Sequence, residues 1–202
     1  GGDARGPLGR ASSRGEDADK GPRYERLPAG GTLAMDTVRI RRDPDYFPLI
    51  AGLRWNYQHT STEFDGIESV EITIQDVQGF REDVLATALM KRRRMGQETA
   101  KTYRIKKSAK EVSSDFGVLG WGRKEFPLPP LPGKSWIEEP DRHEIASLDS
   151  EIKVPAGDYL RCLRVNTLLA GGDGGSALRY YAPGVGYVHE EYSSETSGSR
   201  VS

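Results

Sequence analysis

An all-β domain is what this sequence predicts: a curved antiparallel sheet, a half-barrel or open barrel of two related halves, running from Asp45 to Tyr192. Three features predict it. Large apolar residues recur at every second position in segment after segment, which is the period of a strand with one wet face. Turn-forming dipeptides separate those segments. A Pro-Leu element followed by Gly-x-x-Trp occurs twice, at Pro48 to Trp55 and at Pro130 to Trp136, with one residue fewer before the second glycine.

The domain is preceded by an arm. Residues 1–34 are patternless and rich in Gly, Arg, Ala and Asp, with too few bulky apolar side chains to offset the entropy of ordering. Thr37 to Arg41 alternates like a short strand until Pro44 ends it, so 1–44 reads as a disordered or weakly ordered arm. Either Gly1 or Met35 can be the true start.

Within the domain, Leu53, Trp55 and Tyr57 share one face of a first strand, and Val70, Ile72 and Ile74 share one face of a second. Asp65-Gly66, a favoured pair for a type I′ turn, is expected to join them in a hairpin over 53–77. Val84 to Met90 fits strand or helix by pattern and is read as the start of meandering strands, with a turn at Gly96-Gln97 and strand pieces at 102–105 and 109–112. Phe126 to Pro132 has too many prolines for a central strand and is expected to run extended over the surface. A second hairpin joins 145–154 to 159–169 through Pro155-Ala156-Gly157-Asp158. Gly171 to Gly175 reads as a connector, Leu178 to Tyr181 as a strand, Pro183 to Gly186 as a turn, and Tyr187 to Tyr192 as the closing strand. The Ser- and Gly-rich 193–202 is expected to be a flexible tail.

Three motifs together carry a likeness to known proteins: Pro48-Leu49-x-x-Gly52-x-x-Trp55, Val154-Pro155-Ala156-Gly157-x-x-x-x-Cys162-Leu163, and Tyr180-Tyr181-Ala182-Pro183-Gly184-Val185-Gly186-x-Val188. As a set they resemble bacterial cell-envelope proteins, lipoprotein-like and of unknown function, similar to DUF3108-like and LolA/LolB-like domains. That resemblance implies a curved antiparallel half-barrel, a periplasmic or cell-envelope location and a non-enzymatic role.

Composition bounds the chemistry. The net charge of −1 offers no global field for nucleic acid, and no aromatics interleave with Lys91-Arg92-Arg93-Arg94. No run of about 18 apolar residues provides a transmembrane helix. One cysteine, Cys162, excludes an internal disulfide and a multi-cysteine zinc site, and its alternation with Leu160 suggests a small core residue. His59, His143 and His189 lie far apart with no ligand-like spacing, and no cofactor motif is present. Glu138-Glu139 and Glu190-Glu191 read as surface charges, since neighbours on a strand face opposite ways.

Two sets of residues remain as candidates for function. Trp55, Tyr57 and Trp136 either fill the concave face or line a cavity for an apolar or amphiphilic, lipid-like ligand or a protein partner. Lys91, Arg92, Arg93 and Arg94 are a possible patch for an anionic partner, within a segment 81–111 that holds ten Lys/Arg against four acids. Since 138–202 holds eleven acids against six bases, the alternative is an assembly module acting through strand edges and a charge dipole.

Overall fold

The structure, a computed structural model, describes residues 43–170 and 174–202. The expected arm up to residue 42 and Gly171 to Asp173 of the glycine connector lie outside the described residues. Among the described residues twelve strands form one antiparallel sheet. They are β1 (Arg54–Ser61), β2 (Phe64–Phe80), β3 (Asp83–Arg94), β4 (Gln97–Lys107), β5 (Glu111–Ser114), β6 (Arg123–Pro127), β7 (Ser135–Glu138), β8 (Asp141–Val154), β9 (Gly157–Leu169), β10 (Gly175–Ala182), β11 (Gly186–Ser194) and β12 (Gly198–Val201). The order β6-β5-β4-β3-β2-β1-β12-β11-β10-β9-β8-β7 is an up-and-down meander whose last strand pairs with its first. The sheet curls into a nearly closed barrel with one seam, between β6 and β7.

The paired Trp segments are built alike. At the first, Leu53 N donates to Ile50 O (3.0 Å) across a turn, and Gly52 N donates to Ile74 O (2.8 Å). At the second, Lys134 N donates to Leu131 O (3.1 Å), and Gly133 N donates to Ile145 O (2.8 Å). Gly52 and Gly133 take φ values of +87° and +84°, the left-handed conformation that glycine adopts without strain. Each turn delivers a Trp to the second position of its strand, β1 or β7, and those strands start the two six-strand halves of the meander.

The interior is one hydrophobic core to which most of the strands contribute, including Ile74, Met90, Ile105, Phe126, Ile145, Val165 and Tyr181. Phe47, from the segment before β1, plugs it, with its ring centroid 6.0 Å from those of Trp55 and Tyr181 and 6.5 Å from that of Phe126. Lys107 holds the plug by donating to Asp45 Oδ1 (2.6 Å) and Phe47 O (2.9 Å). A smaller cluster of Cys162, Tyr180, Ala182 and Val188 packs on the other face of β9–β11.

Several expectations change. The first hairpin turns at residues 62–63, not at Asp65-Gly66, because Ser61 pairs with Phe64. Gly66 spends its positive φ (+82°) on the irregularity that restores inward phase to β2. Val84 to Arg94 is one strand, and its turn falls one residue early, at Met95-Gly96. Phe126 is 1% exposed: the proline-rich segment runs along an edge, yet its first apolar residue enters the core. Leu160 is 58% exposed and Cys162 fully buried, because Arg161 (φ +53°) inserts a bulge that breaks their alternation. Residues 198–201, in the stretch expected to fray, form β12 and pair with both β1 and β11.

Candidate functional site beneath the barrel seam

The seam leaves two short strand edges facing one another, and unpaired edge groups must find partners. Glu138, at the end of β7, accepts the Lys124 N–H of β6 on both carboxylate oxygens (3.1 and 3.0 Å). Arg179 of β10 reaches across, and its Nη2 donates to the carbonyls of Lys124 (3.1 Å) and Glu125 (2.9 Å). Side chains therefore stand where a strand's carbonyls and amides would be.

Behind them lies a buried charge network. Arg123 donates through Nε to Glu125 (3.0 Å) and through Nη1 to both oxygens of Glu190 (2.8 Å each). Glu125 also accepts from the Ser114 and Tyr181 hydroxyls, and Glu190 accepts from the Tyr187 hydroxyl (2.7 Å). Burial disfavours the Glu125 carboxylate, but Arg123, Arg179 and the two hydroxyl donors outweigh it and hold its pKa below the ordinary value. Burial likewise works against the Arg123 cation, and the two carboxylates overcome it, raising its pKa well above the usual one. The Tyr181 and Tyr187 phenols are pushed up by burial and by these same carboxylates.

The network borders a cleft of about 270 Å³. Its inner side is Arg123, Arg179 and Glu190, and its outer side is Glu138, Glu139 and Asp141. Trp121 and Tyr192, with ring centroids 5.9 Å apart, form one wall. His143 and Thr167 form another, joined by a 2.7 Å hydrogen bond at His143 Nδ1. The His143 ring stacks on Trp136 (5.2 Å, 19°), and burial together with the nearby Arg179 and Arg123 charges lowers its pKa to about 4. The imidazole is therefore neutral at pH 7. Arg179 is only 2% exposed, and its Nε, sealed from solvent, has no hydrogen-bond partner.

The three aromatic candidates separate. Trp55 packs in the core with Nε1 donating to Val185 O (2.7 Å), and the Tyr57 hydroxyl donates to Tyr187 O (2.7 Å). The cavity that Trp55 and Tyr57 line together is about 30 Å³, too small for a lipid. Trp136 instead flanks the cleft: its Nε1 donates to Glu138 (3.1 Å), and the Arg179 guanidinium lies 5.8 Å from its ring.

The basic run is divided by strand alternation. Arg92 pairs with Glu68 (2.5 Å) and donates to Gly117 O and Val118 O, while Arg94 lies 4.4 Å over Phe64. Lys91 and Arg93 line a groove of about 440 Å³ with Tyr57, Pro155 and Ala156, and Arg93 pairs with Glu98. Glu190 and His189, expected at a solvated edge, are 2% and 6% exposed. Cys162 is distant in kind from the cleft, its thiol pushed up to about 11 by burial. The legible signal for the cleft was a charge in core phase, Arg179 between Ala177 and Tyr181. Among the described residues no group of three or more His, Cys, Asp or Glu is placed to hold a metal, and no helix is long and apolar enough to cross a membrane.

No family model and no curated protein matches the chain, so the likeness to DUF3108-like and LolA/LolB-like domains stays at the level of motifs. Solved structures do match. A crystal structure from Bacteroides fragilis NCTC 9343, of a "putative exported protein with YmcC-like fold", superposes with a TM-score of 0.58 at 13% identity, covering 78% of this chain and 97% of that one. A "putative lipoprotein" from Parabacteroides distasonis ATCC 8503 superposes with a TM-score of 0.54 at 13% identity, over 78% and 96% of the two chains. At such identity the likeness is one of fold: the chain shares the curled antiparallel architecture of these two proteins.

Proposed function

We propose that this chain is a non-enzymatic binding domain of the cell envelope or periplasm, and that its site is the seam cleft, which takes a ligand smaller than a lipid. The observation that carries the reading is the combination in one concavity of aromatic walls, a carboxylate rim and the buried Arg179. Small-molecule sites are concave, with a few placed polar groups, and drug-sized ligands need roughly 300–1,000 Å³. At about 270 Å³ the cleft suits something smaller. The envelope assignment draws its support from the two fold neighbours and from the three sequence motifs.

Strand-edge assembly has less support, because Glu138 and Arg179 already occupy groups on the β6 edge that a docking strand would need.

Native mass spectrometry after exposure to the small-molecule fraction of an envelope extract tests the site. Ala177 is buried against the cleft, and Ala177→Phe fills it. The expected result is a small-molecule adduct on the wild type that is missing from Ala177→Phe. An adduct of lipid size, or one that persists in the filled variant, contradicts the reading.

A further inference from the structure

We propose that the free edge of β4 takes an extended acidic segment of a partner protein, which adds to the sheet as a further strand over Glu98 to Thr102. This surface is independent of the seam cleft.

The backbone is the first argument. β4 runs for 11 residues, but its neighbour β5 has only 4 and pairs with Ile105 to Lys107. Along a strand, the main-chain groups of alternate residues point to opposite sides. Arg104 turns both of its groups to the β5 side: its N–H donates to Asp115 Oδ1 (2.8 Å), and its carbonyl accepts the Asp115 N–H (3.0 Å). The closing pair of the β3–β4 hairpin, Arg94 and Gln97, sets the same phase from the other end, with odd-numbered residues bonded to β3. The N–H and C=O groups of Glu98, Ala100 and Thr102 therefore line the side that β5 leaves at Asp115. Among the described residues no strand pairs with them there. Residues 97–102 are all exposed, so no loop covers that edge. At the seam, Glu138 and Arg179 give the β6 edge its partners, and β4 has no such side chains beside 98–102 among the described residues.

Charge selects the partner. β4 carries Lys101, Arg104 and Lys106, all exposed, and Lys91 of β3 stands opposite Ala100. Lys101 lies over the Phe116 ring (3.7 Å), and among the described residues none of the three β4 cations forms an ion pair. The one acid of the strand, Glu98, is already paired with Arg93. A second copy docking edge to edge would set two such rows of cations side by side, which like-charge repulsion opposes. An acidic strand brings the opposite sign, and main-chain hydrogen bonds to the free groups supply the rest of the attraction.

Titration of the full chain with short peptides, followed by calorimetry and by amide hydrogen exchange, tests this. The probes, all with blocked ends, are the acidic Thr-Glu-Val-Asp-Val-Glu-Thr, the basic Thr-Lys-Val-Lys-Val-Lys-Thr, and the acidic peptide methylated on its three central backbone nitrogens. The acidic peptide is expected to bind at least about tenfold more tightly than the basic one, and to slow exchange at the amides of Glu98, Ala100 and Thr102. Methylation is expected to remove about tenfold of that affinity. Ala100→Pro deletes a free donor without touching a bond to β3, and the same loss is expected from it. Arg104→Glu/Lys106→Glu keeps the edge but inverts its charge, and is expected to lose about tenfold for the acidic peptide while keeping its thermal midpoint. Should Ala100→Pro fail to fold, the methylated peptide and the charge variant decide. Equal binding of the acidic and basic peptides, undiminished binding of the methylated one, or exchange unchanged at 98–102 overturns the proposal. A free chain that is dimeric, with those three amides already protected, gives the edge to a second copy and overturns it as well.

Discussion

Glu125 answers to two arginines and two hydroxyls, and a carboxylate so placed is worth most through what its loss leaves behind. Truncating one partner of a buried ion pair leaves an uncompensated charge, so Glu125→Ala is expected to lower the free energy of unfolding by about 3–5 kcal/mol in urea titrations. Acid acts on the same groups. His143 has a folded pKa of about 4 against an ordinary 6.5, so the unfolded chain takes up the proton first. Stability is therefore complete above pH 6.5 and falls as pH drops towards about 4. Glu125, its folded pKa lowered, holds its contribution above the ordinary value of 4.5 and loses it below. Both effects point the same way in different windows. The expected outcome is a two-part decline in denaturant midpoint on acidification, with the upper part absent in His143→Gln. These groups were the hardest to read from sequence. Glu190 sits in a His-Glu-Glu run that looks like a wet edge, and only the strands folded across it show that its side is interior.

At the scale of the element, alternation was legible and turns less so. Val70, Ile72 and Ile74 face inward as their spacing requires, since a one-residue slip would turn every one of them to solvent. The turn is free to move, and it moved from Asp65-Gly66 to residues 62–63. Bulges such as that at Arg161 shift phase within a strand without a compositional mark, which is why Leu160 and Cys162 part company. The repeated Gly turns were readable because only glycine suits them. A Cβ at Gly52 or Gly133 meets nothing within 4 Å, leaving φ strain alone, so Gly52→Ala and Gly133→Ala are each expected to cost about 1 kcal/mol. Gly79 differs: a Cβ there would lie 2.0 Å from the Asp83 carbonyl oxygen. Gly79→Ala should therefore destabilise by clearly more than either, in the same urea series.

For the molecule as a whole, closure depends on its last few residues. β12 bridges β1 and β11, with Val201 fully buried in the common core. Removing residues 198–202 is expected to convert the barrel into two poorly joined sheets, seen as a collapse of the cooperative thermal transition. The all-β class and its two halves were legible from alternation and from the Trp repeat. That a Ser-Gly tail would close the ring was not, because short strands owe their conformation to the neighbours they find rather than to propensity. The same holds for the site, which the sequence divides among residues 121 to 192 and only the curl of the sheet assembles. Its position is the central claim. Hydrogen exchange of the amides, compared with and without the small-molecule fraction of an envelope extract, tests that position most directly. Protection should rise at 122–125 and 136–143, beside the seam. A rise confined to the core strand that carries Trp55 and Tyr57, with the seam unchanged, would contradict it.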